Sequence, residues 1–157
     1  GEACDGADAP ACPGQCDAAC ACPAPCTGGD LLSPRVRADA ARFKFRSRVF
    51  NGLGTFIGAD PRDGFRLALR QGAATLTIDI PAGDAGWIPP RPGHRRFKWA
   101  GDHDGVTRIV AVDRSAVSGL WKVILVGRAV PGAAGIDADL PIEAELTIGS
   151  ACMRDVF

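Results

Sequence analysis

Cysteine is the residue type in this chain with the most chemistry to offer, and six of the seven, Cys4, Cys12, Cys16, Cys20, Cys22 and Cys26, fall within the first 26 residues. Their neighbours are Ala, Pro, Gly and Asp, with almost nothing large and apolar. Such a segment cannot fold by burial and must be stapled, by disulfides in an oxidising compartment or by a thiolate-bound metal in a reducing one. C-x3-C and C-x-C spacings occur, but no C-x2-C knuckle, and both histidines, His94 and His103, lie far away. That pattern favours disulfides. The seventh cysteine, Cys152, makes the count odd, and three readings stay open: it pairs with the arm, it remains a buried thiol, or it crosses to a second chain.

The next constellation is cationic. Arg42, Lys44, Arg46 and Arg48 alternate with Phe43, Phe45, Ser47 and Val49, so a regular strand would project four cations from one face at intervals of about 6.7 Å. Three partners answer to such a ladder: solvent, a polyanion, or an acidic strand. This chain supplies acids in Glu143 and Glu145, with Asp137 and Asp139 upstream, so acid-base pairing within or between subunits is expected to set an assembly interface. Nucleic acid is not expected, because the aromatics of the ladder strand alternate inward, away from the cations.

Other residues offer less. Asp102-His103-Asp104-Gly105 could present oxygens to Ca2+, with Asp102 and Asp104 as metal ligands, but D-G between strands is also the signature of a hairpin turn. Trp87 and Trp99, around Trp87-Ile-Pro-Pro-Arg-Pro92, could stack on a glycan or cap the core. No serine (Ser33, Ser47, Ser115, Ser118, Ser150) sits in a nucleophile motif, and neither histidine has one around it. The expectation is a protein that is not an enzyme and has no catalytic residues.

The elements that must position these residues read as β. A chain of 157 residues is one domain's worth and long enough for a real core. Its 20 glycines and 12 prolines punctuate short apolar segments. Period-2 patterns run through 42–50, Phe65/Leu67/Leu69, Leu76/Ile78/Ile80, Phe97/Trp99 and 141–148, where Ile142, Ala144, Leu146 and Ile148 point inward. Residues 106–112 and 120–126 are apolar on both faces, which predicts central strands covered on both sides. About eight strands at this spacing predict an all-β, antiparallel sandwich or barrel with scarce helix, residues 31–157, behind a cysteine-rich acidic arm, residues 1–30.

Charge divides the same way. Residues 1–30 hold five carboxylates and no Lys or Arg, a net −5, and the remainder carries +5. Opposite potentials favour docking of arm on body, in one chain or between two. No apolar run approaches the length of a membrane span, and a chain beginning at Gly1 whose only methionine is Met153 is expected to be a processed, exported protein.

The strings Gly1-Glu-Ala-Cys4-Asp-Gly-Ala-Asp8, Ala11-Cys-Pro-Gly-Gln-Cys16 and Cys20-Ala-Cys22-Pro23 resemble a short cysteine-rich module of predicted secreted proteins of environmental bacteria. The stretch from Arg96-Phe-Lys-Trp99 to Cys152 resembles an uncharacterised secreted β domain. Both resemblances imply export and an extracellular β fold, and neither implies an activity. The expected function is an extracellular structural subunit, a homopolymer of the surface filament, fimbria or sheath kind, joined by strand addition from 35–50 and by the arm. A secreted carbohydrate-binding or adhesion module is the alternative.

Overall fold

A computed structural model describes residues 26–28, 30–50, 56 and 58–157. Cys4, Cys12, Cys16, Cys20 and Cys22, and with them most of the predicted arm, lie outside the described residues.

Among the described residues, eleven strands form two sheets facing one another: β1 (Thr27–Gly28), β2 (Asp30–Ala38), β3 (Phe43–Phe50), β4 (Phe65–Gln71), β5 (Ala74–Ile80), β6 (Trp87–Ile88), β7 (Arg96–His103), β8 (Val106–Arg114), β9 (Leu120–Gly127), β10 (Glu143–Ile148) and β11 (Ala151–Val156). One sheet has the order β1-β11-β10-β4-β5 and the other β2-β3-β9-β8-β7-β6. All pairings are antiparallel except the two-residue β1, which lies parallel to β11. Helix among the described residues is confined to one turn, α1 (Ser115–Ser118), and two 3-10 turns. The fold is therefore the expected antiparallel sandwich.

Alternation creates the core. Phe43, Phe45 and Val49 of β3, Trp121, Val123 and Leu125 of β9, and Phe97 and Trp99 of β7 face Phe65, Leu67 and Leu69 of β4, Leu76, Ile78 and Ile80 of β5, and Ala144, Leu146 and Ile148 of β10, all of them buried. The indole of Trp121 stacks near-parallel on Phe97, with centroids 6.1 Å apart, and meets Phe56 at 6.4 Å. Local chemistry sets the turns. Asp104 (φ 49°) and Gly105 (φ 79°) form a two-residue hairpin between β7 and β8 with both φ positive, the I′ geometry that D-G favours. Asp39 accepts from the backbone N–H groups of Ala41 and Arg42, which closes the turn between β2 and β3.

Three expectations need correction. Residues 35–50 are not one strand, because the Asp39–Arg42 turn folds them into the β2–β3 hairpin; the segment is spent inside its own sheet, with β3 paired on both edges. β8 and β9 are central, but among the described residues no layer covers their outer side. Their outward Val110, Val112, Ile124 and Val126 form a stripe shielded by neighbouring side chains, with only Val110 buried. Residues 27, 28 and 30, assigned to the arm by composition, already pair within the sandwich, because β1 pairs β11 and β2 begins at Asp30.

Trp87 and Trp99 belong to the core, at 7% and 2% exposure. Trp87 packs on Phe65 with centroids 6.4 Å apart. Trp99 is held between Gly86 and Gly101, where an added Cβ would come within 2.4 and 2.7 Å of the indole, and its Nε1–H donates to Asp84 Oδ1 at 2.7 Å. That bond, with a second from the Gly86 N–H, holds the Asp84 carboxyl below its ordinary value. The sign follows: Asp84 stabilises the fold fully above its ordinary pKa of 3.8, and this contribution is lost as pH falls through the lower folded value. In thermal melts, Asp84→Ala should cost about 1 to 3 kcal/mol at neutral pH, since it orphans a buried indole N–H. The gap between variant and parent should narrow below pH 3.8; a gap independent of pH would show that the charge on Asp84 contributes nothing.

Candidate functional site

Register turns the predicted ladder into a surface. Lys44, Arg46 and Arg48 stand exposed on the outer face of β3, and Arg42 is exposed in the turn before it. Across the β2 ladder, Arg46 lies opposite Arg35 and Lys44 opposite Arg37. Across the β9 ladder, Arg48 lies opposite Lys122. Farther over, β8 adds Arg108 and Arg114 to the same face and β7 adds Arg96 and Lys98, flanking the aliphatic stripe of Val110, Val112, Ile124 and Val126. Ten cations thus share the outer face of the six-stranded sheet, and Asp30, at one corner, is the one carboxylate in register on it.

None of the ten forms an ion pair among the described residues. The three like-charge cross-strand pairs work against the sheet, since like charges directly opposite destabilise it. The fold tolerates them because the heads reach water while the aliphatic stems lie along the sheet.

Glu143 and Glu145 are on the opposite side of the molecule, the outer face of the five-stranded sheet. Glu143 accepts from Arg70 at 3.2 Å, and Glu145, only 7% exposed, accepts from Arg154 Nη2 at 2.8 Å and lies 3.7 Å from Arg70. The hydrogen bond to Glu145 raises the Arg154 pKa further. Within one chain these acids therefore pair with Arg70 and Arg154, not with the cation ladder.

Beside this cluster a disulfide joins Cys26 to Cys152, with Cα atoms 4.8 Å apart and a sequence separation of 126. Of the readings left open for Cys152, pairing with the arm is the one realised. The two sulfurs and the Glu145 carboxylate gather within 4.8 Å, yet the sulfurs are bonded to one another and the carboxylate is matched by guanidinium. The group is a clasp rather than a metal centre. Asp102 and Asp104, the residues considered for Ca2+, are exposed at the β7–β8 hairpin; Asp104 occupies the turn itself and lies 3.7 Å from the His103 imidazole.

The remaining polar clusters are structural. Asp113 accepts from the Ser115 N–H and hydroxyl and pairs with Arg95, capping the single helical turn. A shallow hollow lined by Gly58, Ala59, Asp60, Asp63, Gly149, Ser150 and Ala151 has an acidic side, but Arg62 grips the Asp60 carboxylate and lowers its pKa. Sequence reasoning found three of the ten face cations. Arg35 and Arg37, which flank Val36, and Lys98, between Phe97 and Trp99, carry the same period-2 signal. Lys122 is hidden in an apolar run, and only register reveals it.

No helix among the described residues is long and apolar enough to cross a membrane. No family model, curated protein or solved structure matches the chain.

Proposed function

We propose that this chain is an extracellular structural subunit, a homopolymer of the filament or sheath kind, exported to an oxidising compartment and joined copy to copy by its arm and by a sheet edge. The observation that carries this reading is the Cys26–Cys152 bond. It engages Cys152 and leaves Cys4, Cys12, Cys16, Cys20 and Cys22, an odd number, in the arm. At least one sulfur per chain therefore lacks a cysteine partner within these 157 residues, and the same sulfur of a second copy supplies one.

A single such bond closes a pair, so extension needs another joint. Four strands border the two sheets among the described residues, and one of them, β1, has only two residues. β2 is blunted by Pro34, a bulge between Leu32 and Arg35, and two arginines; β6 has only two residues. β5 has seven residues, no proline and a plain outer row of Thr75, Thr77 and Asp79. The turn at Gly132 leans on Thr75, and residues 77–80 continue the edge beyond it. Strand addition at β5 extends the five-stranded sheet across two copies. Two different isologous joints, used alternately, generate an open chain.

Electron microscopy and sedimentation of the native protein test this. Filaments are expected for the parent chain, disulfide-linked pairs for Thr77→Lys, edge-joined pairs after mild reduction, and monomers when both are applied. A parent chain that sediments as a 16.3 kDa monomer without reductant overturns the proposal.

A further inference from the structure

Among the described residues the cationic face carries a single carboxylate in register, Asp30 at one corner, and its three like-charged ladder pairs, Arg35 with Arg46, Arg37 with Lys44 and Arg48 with Lys122, repel across adjacent strands. That repulsion is relieved when an anion sits between the two heads. A single small anion relieves one pair. The pairs lie on three consecutive strands, and further cations continue onto β8 and β7, a span of about 19 Å across the ladder at the usual strand spacing. Only an anion that is itself extended and repeats its charge meets them all at once.

From this placement we propose that the outer face of the six-stranded sheet binds an acidic polysaccharide, a linear chain bearing carboxylate or sulfate groups. Three observations select this class over other polyanions. The centre of the face is aliphatic and half-buried, Val112, Ile124 and Val126, and all three tryptophans are buried in the core, so the face has no indole on which nucleic-acid bases could stack. The Cys26–Cys152 bond suits an oxidising compartment, where extracellular acidic glycans occur and nucleic acid is not the usual partner. The acidic arm of a second copy is a weaker match, because residues 1–25 bring four carboxylates against ten cations. The inference does not rest on the assembly reading, since a monomer would present the same face.

The contact is electrostatic and spread over many residues. It should therefore be strongly salt-dependent and reducible in steps. It should also tolerate changes in sugar identity while requiring the charge.

The test is retention of the full chain on dextran sulfate and on heparin, with neutral dextran as the blank, across a NaCl gradient. The parent protein should be held by both sulfated supports and pass through the neutral one. Arg46→Glu/Arg48→Glu should weaken binding by about a hundredfold at physiological salt. Arg91→Glu/Arg128→Glu carries the same change in net charge on two loop arginines and should elute close to the parent. The first variant also removes two of the like-charge pairs, so its melting temperature should not fall below the parent's, which separates loss of binding from loss of fold. Equal losses in the two variants would reduce the effect to net charge and overturn the site. Binding of single-stranded poly(dT) as tight as that of heparin would overturn the polysaccharide assignment in favour of nucleic acid. No retention on either sulfated support, with a shift in oligomeric state on Arg46→Glu/Arg48→Glu, would give the face to a second copy of this chain and overturn the proposal.

Discussion

Cys152→Ser is expected to lower the unfolding free energy by about 3 to 5 kcal/mol, read from urea midpoints under non-reducing conditions. The size comes from topology. The bond joins a residue at the entry to the sandwich with one in its last strand and closes a loop of 126 residues. In the chain-entropy treatment, a loop that long restricts the unfolded ensemble by about 4.9 kcal/mol, an upper figure because real unfolded chains are already compact. Among the described residues, little else holds the chain around Cys26. β1 offers two residues of parallel pairing, and the Leu31 N–H donates to Asp155 Oδ2 at 2.8 Å. Cys26→Ser breaks the same bond, so the double variant should be no less stable than either single one, the non-additivity of residues acting as a unit. Dithiothreitol should bring the parent chain down to the variants and leave the variants unmoved. A Cys152→Ser protein as stable as the oxidised parent would show that the clasp does not stabilise the body.

The sandwich was legible because most of its strands are half-buried and write their burial as alternation. β3, β4, β5, β7 and β10 each show a one-residue on, one-residue off apolar pattern, and each lies where that pattern predicts. β8 and β9 were found by the same hydrophobicity but misread in one respect. Val110, Val112, Ile124 and Val126 imitate a second buried face, whereas they are the stripe between cations of neighbouring strands. β11 was missed because it alternates weakly: Cys152 and Arg154 lie on the outer row and the inward-facing Asp155 is polar, bonded to the Leu31 N–H.

The cationic site was only partly legible for a related reason. A ladder along one strand can be read from sequence, but a field across five strands depends on register, which is set by turns and bulges such as those at Leu32/Arg35 and Val106/Arg108. Complementary charge in the sequence, Glu143 and Glu145 against Lys44 and Arg46, did not imply contact. The two sets are separated by the thickness of two sheets, and nearer guanidiniums had already claimed the acids.

Trp121→Ala is expected to cost about 3 to 5 kcal/mol and to be the most damaging single core truncation in β9. The side chain is fully buried and connects three parts of the fold: it stacks on Phe97 of β7, touches Phe56 from the loop after β3, and lies opposite Asp113 of β8 in register. Removing it leaves a cavity that two aromatic rings and a β-ladder cannot easily collapse. Trp121→Phe should behave differently. The indole Nε1–H has no hydrogen-bond partner among the described residues, so phenylalanine loses volume and dispersion contacts but relieves an unsatisfied buried donor. A net loss of about 1 to 2 kcal/mol follows. The pair of variants also separates stability from function, because β9 alternates Trp121, Val123 and Leu125 inward with Lys122, Ile124 and Val126 outward. If the core only holds the cationic face flat, Trp121→Phe should keep the parent's retention on dextran sulfate at temperatures well below its melting point, while Trp121→Ala should lose it in step with unfolding. Retention lost in a folded Trp121→Phe protein would instead mean that the face depends on the packing beneath it and not on its charges alone.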